Sequence, residues 1–409
     1  MPRWRASSAK ASAAPPFFLA LLLSACGASS PPSQARFTVG PCQALPVSGI
    51  EDLAWSPAPA PLLEPGPAGS WDSTDALNPS VVRFQGRYLN FYSGFDGRTW
   101  RTGLATSADG LAWEKHPGNP LFGPDSRWEG AYIAANGATL VRGSQILHWY
   151  QAGPRNQTRI GFGHSADGLV WEKHPANPLF GPDHRWEGSY IGANGATLVR
   201  DDQILHWYQS GPRNQTRIGF GHSSDGLEWE RAPEPVLGYG PAGSWDESAL
   251  GDPYAVQCGD WLYLYYLGQN RFGVQRLGVA RSRDGVHWQK SHLNPVLDTG
   301  GEGAFDERGL GEPAVFFADG AFWMVYVGRD AEERRRLGWA RSSDGVEWAK
   351  VPRPGIIPGV QPWNQAVVCD PEILLLENRL LILFGGGDRP SPDENLDGRI
   401  GVLLPQTPQ

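Results

Sequence analysis

From about residue 50 onward the chain alternates short apolar runs with punctuation rich in Gly, Asp, Asn and Pro. One stretch shows the rule. Tyr254-Ala255-Val256-Gln257 is followed by a turn at Gly259-Asp260, then by the apolar run Trp261–Leu267 ending at Gly268. Leu277–Ser282 follows, with a turn at Asp284-Gly285 and a last short phrase, Val286-His287-Trp288. Runs this short, rich in Tyr, Trp, Val and Leu and bounded by turn residues, predict strands. Asp-Gly suits a two-residue hairpin in which both central residues take φ > 0. It recurs after Ser-x at Asp109-Gly110, Asp167-Gly168, Asp225-Gly226 and Asp344-Gly345.

The four-strand phrase repeats. Residues 119–168 reappear as 177–226 with seven differences in 50 positions, a tandem duplication with a period of 58. A Trp closes the fourth-strand phrase at Trp55, Trp113, Trp171, Trp229, Trp288 and Trp348, and a second series opens an apolar run at Asn78, Asn136, Asn194, Asp252, Glu312 and Asp370. Six phrases of each kind mean six units. Four antiparallel strands repeated radially predict an all-β, six-bladed propeller, with a five-bladed propeller plus an accessory sheet as the alternative. The last unit stops after its third strand, Ile400–Leu404, while the chain begins with a lone fourth-strand phrase, Leu53-Ala54-Trp55. Joining the two would complete the sixth blade and remove the exposed sheet edges.

Composition and charge narrow the partners. A formal charge of −8 argues against non-specific nucleic-acid binding, which needs Lys and Arg to neutralise phosphates. The first 25 residues read as an export signal: Arg3, Arg5 and Lys10, then the apolar run Phe17–Leu23. Leu23-Ser24-Ala25-Cys26 resembles the bacterial lipobox, which implies lipidation at Cys26 and anchoring to the bacterial membrane, expected to be the outer membrane, on its periplasmic or surface side. Residues 26–48, rich in Ser, Pro, Ala and Gly, read as a flexible tether, and 49–405 as a single propeller domain, expected to be a monomer. With Cys26 lipidated, Cys42, Cys258 and Cys369 are left, and a Cys42–Cys369 bridge at the closing blade is the expected pairing if one forms.

The phrase Ser-x-Asp-Gly-x-x-Trp followed by Asn119-Pro120-Leu121 or Asn294-Pro295-Val296 resembles the arabinanase–levansucrase–invertase propellers of glycoside hydrolase families 43 and 32, and the related mannoside phosphorylases. Ser244-Trp245-Asp246-Glu247, Gly251-Asp252-Pro253 and Tyr265-Tyr266-Leu267-Gly268 add to the likeness, which spans nearly the whole chain after the signal. The resemblance implies carbohydrate chemistry at one mouth of the channel. Two departures stand out. Those enzymes usually have five blades, and the invertase branch's Trp-Met-Asn-Asp-Pro-Asn-Gly, Arg-Asp-Pro and Glu-Cys motifs are missing here.

A residue repeated in every unit reads as scaffold, because every blade solves the same packing problem. On that rule the Ser and Asp-Gly of the turns, the fourth-strand Trp residues and the Arg before each third strand are structural. The site is expected where the repeat breaks its own symmetry. Three units present Asn78, Asn136 and Asn194 at the mouth, and the three adjacent units present Asp252, Glu312 and Asp370. Glycosyl transfer needs one carboxyl as acid and another as base or nucleophile. By the resemblance Glu312 would be the general acid, and Asp252 or Asp370 the base, the other orienting the sugar. Alternatively the side chains merely bind backbone N–H groups where inner strands begin. Candidate sugar-binding groups on the same face are Trp71, Trp128, Trp186, Trp245 and Trp363, the three Asn residues, and Arg155 and Arg213 on the strand two–three loops. The Trp series divides between sugar platform and blade plug. No phosphate loop, zinc cluster or Ser-His-Asp arrangement stands out. No cofactor or metal is assigned, although the oxygen ligands of the acidic mouth would suit Ca²⁺. Two functions follow: a glycoside hydrolase or phosphorylase, or a glycan-binding propeller without turnover, because an inserted blade would widen a mouth whose catalytic geometry tolerates little displacement.

Overall fold

The computed structural model describes residues 34–406 apart from 41, 53, 135–136, 155–156, 194, 213, 353–360 and 392–393. The expected lipidation site Cys26 therefore lies outside the described residues, as do Asn136, Asn194, Arg155 and Arg213. The described chain is all β apart from four single 3-10 turns, and none of its helices is long and apolar enough to cross a membrane.

The strands fall into the antiparallel units that the repeat demands. Unit four is typical: Ala249–Cys258, Trp261–Gln269, Gln275–Ser282 and Gln289–Ser291 pair in order. In the last unit, Val367–Leu376, Arg379–Gly387 and Arg399–Gln406 pair in the same way. The fourth place there is taken by Ala54–Pro57 from the N-terminal end of the chain, antiparallel to Leu403–Gln406. First and last units also touch through a hydrogen bond, the Val81 N–H donating to Glu372 Oε1 at 3.0 Å.

Turn chemistry departs from expectation. At the Asp-Gly positions only the Gly takes positive φ, as at Gly110 (φ 74), and the register leaves a longer loop between Thr106 and Glu114. That loop is held by side chains. Asp109 Oδ1 accepts the Leu111 and Ala112 N–H groups, Ser107 Oγ accepts that of Gly110, and the Trp113 indole donates to the Gly110 carbonyl. The two-residue hairpins with both residues at positive φ lie instead between first and second strands, at Gln85-Gly86, Asp201-Asp202 and Asp319-Gly320.

The core sits between units. Trp171 packs edge-on against Phe91 of the preceding unit, Trp229 against Trp149, Trp288 against Trp207 and Trp348 against Tyr265, with centroids 5.2–5.9 Å apart. The fourth-strand Trp residues thus act as inter-unit packing. Aromatic pairs in this geometry add about 0.5–1.5 kcal/mol each beyond the area they bury.

Two expectations about the N-terminal segment are corrected. Residues 34–52, the described part of the tether included, lie along units four and five. Gln34–Ala35 pairs with Lys290–Ser291, the Val39 N–H donates to the Asp344 carbonyl, and the Leu45 N–H donates to that of Phe317. Cys42 accordingly bonds to Cys258, not to Cys369, which is free and buried. The reason is topological: the segment runs past the first-to-second-strand turn that carries Cys258, on the face opposite Cys369.

Candidate functional site

The first strands do not begin at the acidic residues, as their sequence suggests; they begin about three residues earlier and bulge there. In units one, four, five and six the register breaks between Leu77 and Ser80, Gly251 and Tyr254, Gly311 and Ala314, and Cys369 and Glu372. The residues left outside the ladder are Asn78-Pro79, Asp252-Pro253, Glu312-Pro313 and Asp370-Pro371. Pro has no N–H to lose from a ladder, so it suits the second place in the bulge. The first place takes φ of 57, 45, 50 and 51° at Asn78, Asp252, Glu312 and Asp370. Asn and Asp adopt this region more readily than other non-Gly residues, and Glu at such an angle before Pro is strained. Bulges of this kind re-aim side chains and concentrate at functional sites.

Here they aim into one cavity of about 350 Å³, lined by residues of all six units, among them Asn78, Thr139, Thr197, Asp252, Glu312 and Asp370. The acids form a directed chain. The Asp252 N–H donates to Gln209 Oε1 (3.2 Å), the Glu312 N–H to Asp252 Oδ2 (3.1 Å) and the Asp370 N–H to Glu312 Oε2 (2.7 Å). Each side chain therefore grips the bulge of the next unit. Asp370 ends the chain, its Oδ2 accepting the Cys369 thiol at 3.2 Å.

Burial dominates the electrostatics. Glu312 is pushed up to about 8, first by desolvation and then by the negative Asp370 and Asp252, with the Arg335 guanidinium and the Asp370 N–H only partly offsetting this. Burial also raises Asp252 and Asp370. Three like charges this close cannot all ionise cheaply, so near neutrality the cluster keeps a proton, favoured on Glu312.

Sequence reasoning missed two members of this site. Glu372 lines the same cavity two residues beyond Asp370 and is raised by burial to about 7. Arg335 supplies the positive field on Glu312 and Asp370. Both could have been found by the rule already applied. The Glu372 position reads Ser80, Ala138, Ala196, Tyr254, Ala314, Glu372 along the units, and the Arg335 position reads Trp100, Thr158, Thr216, Gln275, Arg335, Gly398.

The Trp series serves packing. Trp71 lies against Gly94 and Gly103 with its ring 5.5 Å from Tyr92, Trp245 against Gly268 and Gly278 beside Tyr266, and Trp363 against Gly386 and Gly401, stacked on Phe384. Trp128 and Trp186 similarly stack on Tyr150 and Tyr208. All five rings are nevertheless only half-buried. The acid after each Trp is a tie. Asp246 pairs with Lys290 Nζ at 2.5 Å and accepts from the Tyr266 hydroxyl at 3.4 Å, and Asp72–Lys115, Glu129–Lys173, Glu187–Arg231 and Asp306–Lys350 repeat the pair. In the sixth unit all three partners change together, to Asn364, Phe384 and Pro57. Losing the set together leaves no buried charge unpaired. Among the described residues no group of three or more His, Cys, Asp or Glu could hold a metal ion.

Antiparallel four-stranded units around a polar central cavity are the architecture of the propeller glycoside hydrolases, and comparison with known proteins agrees. Residues 194–356 match the glycosyl hydrolases family 32 N-terminal domain. Solved structures with this fold include a glycoside hydrolase (TM-score 0.52, 15% identity, covering 87% of this chain and 93% of that one) and Trypanosoma rangeli sialidase (TM-score 0.58, 13% identity, 86% and 59%). In sequence the chain is similar to an uncharacterized protein of Mycobacterium tuberculosis (strain CDC 1551 / Oshkosh), 24% identical over 298 residues, which cover 68% of this chain and 95% of that protein. The resemblance to the family 43 and 32 propellers therefore stands at the level of fold.

Proposed function

We propose that this protein is a glycoside hydrolase-like propeller that cleaves carbohydrate, by hydrolysis or phosphorolysis, at its central cavity. The observation that carries the reading is the convergence of Asp252, Glu312 and Asp370 on one cavity, where burial and the neighbouring carboxylates push Glu312 up to about 8. In this reading Glu312 protonates the leaving oxygen. Asp370, whose carboxylate meets a thiol and not a backbone donor, is the base or nucleophile, and Asp252 positions Glu312. The blades are six and the ring is closed, a reading supported by the pairing of Ala54–Pro57 with the last unit and by the Val81–Glu372 bond between first and last. Residues 1–25 and Cys26 export the chain and anchor it by lipid to the cell envelope, a reading that rests on the lipobox-like Leu23-Ser24-Ala25-Cys26.

Glycan-array binding combined with product analysis tests the enzyme. Turnover that falls about 10²–10⁴-fold in Glu312→Gln is expected for loss of a general acid, and unchanged turnover in both Glu312→Gln and Asp252→Asn removes the assignment. One observation favours a second reading, glycan binding without turnover: Asp252 and Glu312 each commit an oxygen to the next unit's backbone. Binding with no product from the wild-type protein would select it.

A further inference from the structure

Around the mouth each unit reaches forward and takes a backbone N–H of the next. Gln151 Oε1 accepts from Ala193 at 3.0 Å, Gln209 Oε1 from Asp252, Asp252 Oδ2 from Glu312 and Glu312 Oε2 from Asp370. These contacts run in one direction from unit two to unit six, and in units four and five the bulge acid makes them. Unit six departs from this. The N–H it takes from unit one is that of Val81, and the acceptor is Glu372 Oε1 at 3.0 Å, two residues past the bulge.

Three residues at this last junction break the repeat together. Gly385 pairs with Cys369 across the first two strands of unit six, and the matching residues elsewhere are Ser93, Gln151, Gln209, Leu267 and Val327. A Cβ on Gly385 would stand 3.0 Å from Asp370 Oδ2, so the missing side chain is the room in which that carboxylate lies. Asp252 shows the contrast: its Oδ2 lies at the same 3.0 Å from a Cβ on Gly311, which belongs to the next unit. Asp252 therefore leans forward, and Asp370 leans back over its own unit. Leu77 is the second change. The residue before the bulge is Gly251 in unit four and Gly311 in unit five, but Leu77 in unit one, whose Cδ2 stands 3.1 Å from the Cβ position of Gly385, beside the Asp370 carboxylate. In a close-packed junction a leucine fills the forward path that a glycine leaves open to Asp252. The third change is Glu372, which stands where other units have Ser80, Ala138, Ala196, Tyr254 and Ala314.

We infer that Glu372 is a positioning residue: it takes over the forward contact to unit one and, with Gly385 and Leu77, keeps Asp370 out of the ring of backbone contacts and available to the substrate. The inference rests on the reading of Asp370 as base or nucleophile. It adds what separates Asp370 from Asp252, a residue of the same type at the same place in the repeat. A carboxylate that accepts a backbone N–H is held in place and weakened as a base, because the bond favours its ionised form.

The test compares Glu372→Gln, which keeps an acceptor for the Val81 N–H, with Glu372→Ala, which does not, and adds Gly385→Ala, which fills the space under Asp370. All are made in the whole folded chain. Two readouts are taken: turnover of whichever glycan the wild type cleaves, and the carbon-13 titration of the Asp370 carboxyl, assigned with Asp370→Asn. The charged and titratable groups that face Asp370 are Glu312, Asp252, Arg335 and the Cys369 thiol, and these variants keep all four. Glu372→Ala should lower kcat about 10²-fold with little change in KM, as a displacement of about 1 Å at a reacting group does, and Glu372→Gln should recover at least about tenfold of the loss. The Asp370 signal should titrate about 1 pH unit lower in Glu372→Ala and Gly385→Ala, where the carboxylate leaves its place over Gly385 for backbone donors and the cavity, and at its wild-type position in Glu372→Gln. Should Glu372→Ala not fold, Gly385→Ala carries the same two readouts. Equal turnover in Glu372→Gln and Glu372→Ala, with an Asp370 titration that no variant moves, overturns the inference. Equal loss in both with an unmoved titration also overturns it and makes Glu372 catalytic in its own right. If the wild type cleaves nothing, the reading of Asp370 as base falls, and the titration alone decides its placement: a shift confined to the two Ala variants supports it, and no shift overturns it.

Discussion

Replacing Glu312 by Gln removes one titrating group and keeps its shape and its acceptor for the Asp370 N–H. Glu312 is raised from an ordinary 4.5 to about 8, so the folded protein holds a proton that the unfolded chain releases across that interval. The sign follows. Folding is favoured by this group below about pH 4.5, loses stability as pH rises through the interval, and gains nothing back above about 8. At ~1.4 kcal/mol per pH unit the interval sets a ceiling of about 5 kcal/mol, and contact with water in the cavity brings the expected figure to roughly 2–4 kcal/mol. Urea unfolding followed by Trp fluorescence at pH 5, 7 and 9 measures it. Wild type should lose roughly 2–4 kcal/mol more than Glu312→Gln between pH 5 and 9, with equal m-values in the two proteins. Asp252, Asp370 and Glu372, raised in the same direction, leave the variant a shallower residual slope. Parallel stability curves would refute the burial argument for Glu312.

Other perturbations probe the scaffold. Lys290→Met leaves the buried Asp246 without its partner and should cost about 3–5 kcal/mol, most of it recovered in Asp246→Asn/Lys290→Met, which imitates the sixth unit; additive losses in the double variant would contradict this. Cys42→Ser/Cys258→Ser opens a crosslink spanning 216 residues and should lower stability by about 2–5 kcal/mol in thermal or urea unfolding, leaving glycan binding at the opposite face unchanged. Glu372→Gln should remove part of the destabilisation on raising pH through 7 while keeping an acceptor for the Val81 N–H, and an unchanged pH slope would place Glu372 in solvent.

Much of the scaffold was legible because repetition reports it. The fourth-strand Trp residues, in six copies, and the Ser and Asp of the turns, in five, do what repetition implies. Likewise Asn78, Asp252, Glu312 and Asp370 stood out because they break the repeat, and they do meet at one cavity. What escaped was geometry that a single position does not encode. The bulge at Asp252-Pro253 is invisible in a pattern of apolar runs, so the strand seemed to start where it kinks. The Trp71 series divided between sugar platform and blade plug because an aromatic on a loop is ambiguous until its neighbours are known. The paired glycines opposite it, Gly268 and Gly278 for Trp245, mark a bed for the ring only once the strands are in register. The Cys42–Cys258 bond depended on the path of the described residues of 34–48, whose composition suggested a free tether.

The central claim is that the acids of three successive units share one low-dielectric environment and therefore share protons. Carbon-13 labelling of the Glu side-chain carboxyls, with Glu312→Gln to assign the signal, reads this directly. The signal of Glu312 should titrate near pH 8 in the wild-type protein and at clearly lower pH in Asp370→Asn, where one like charge is gone. Titration of Glu312 near 4.5, unmoved by Asp370→Asn, would show three independent solvated carboxylates and no shared site.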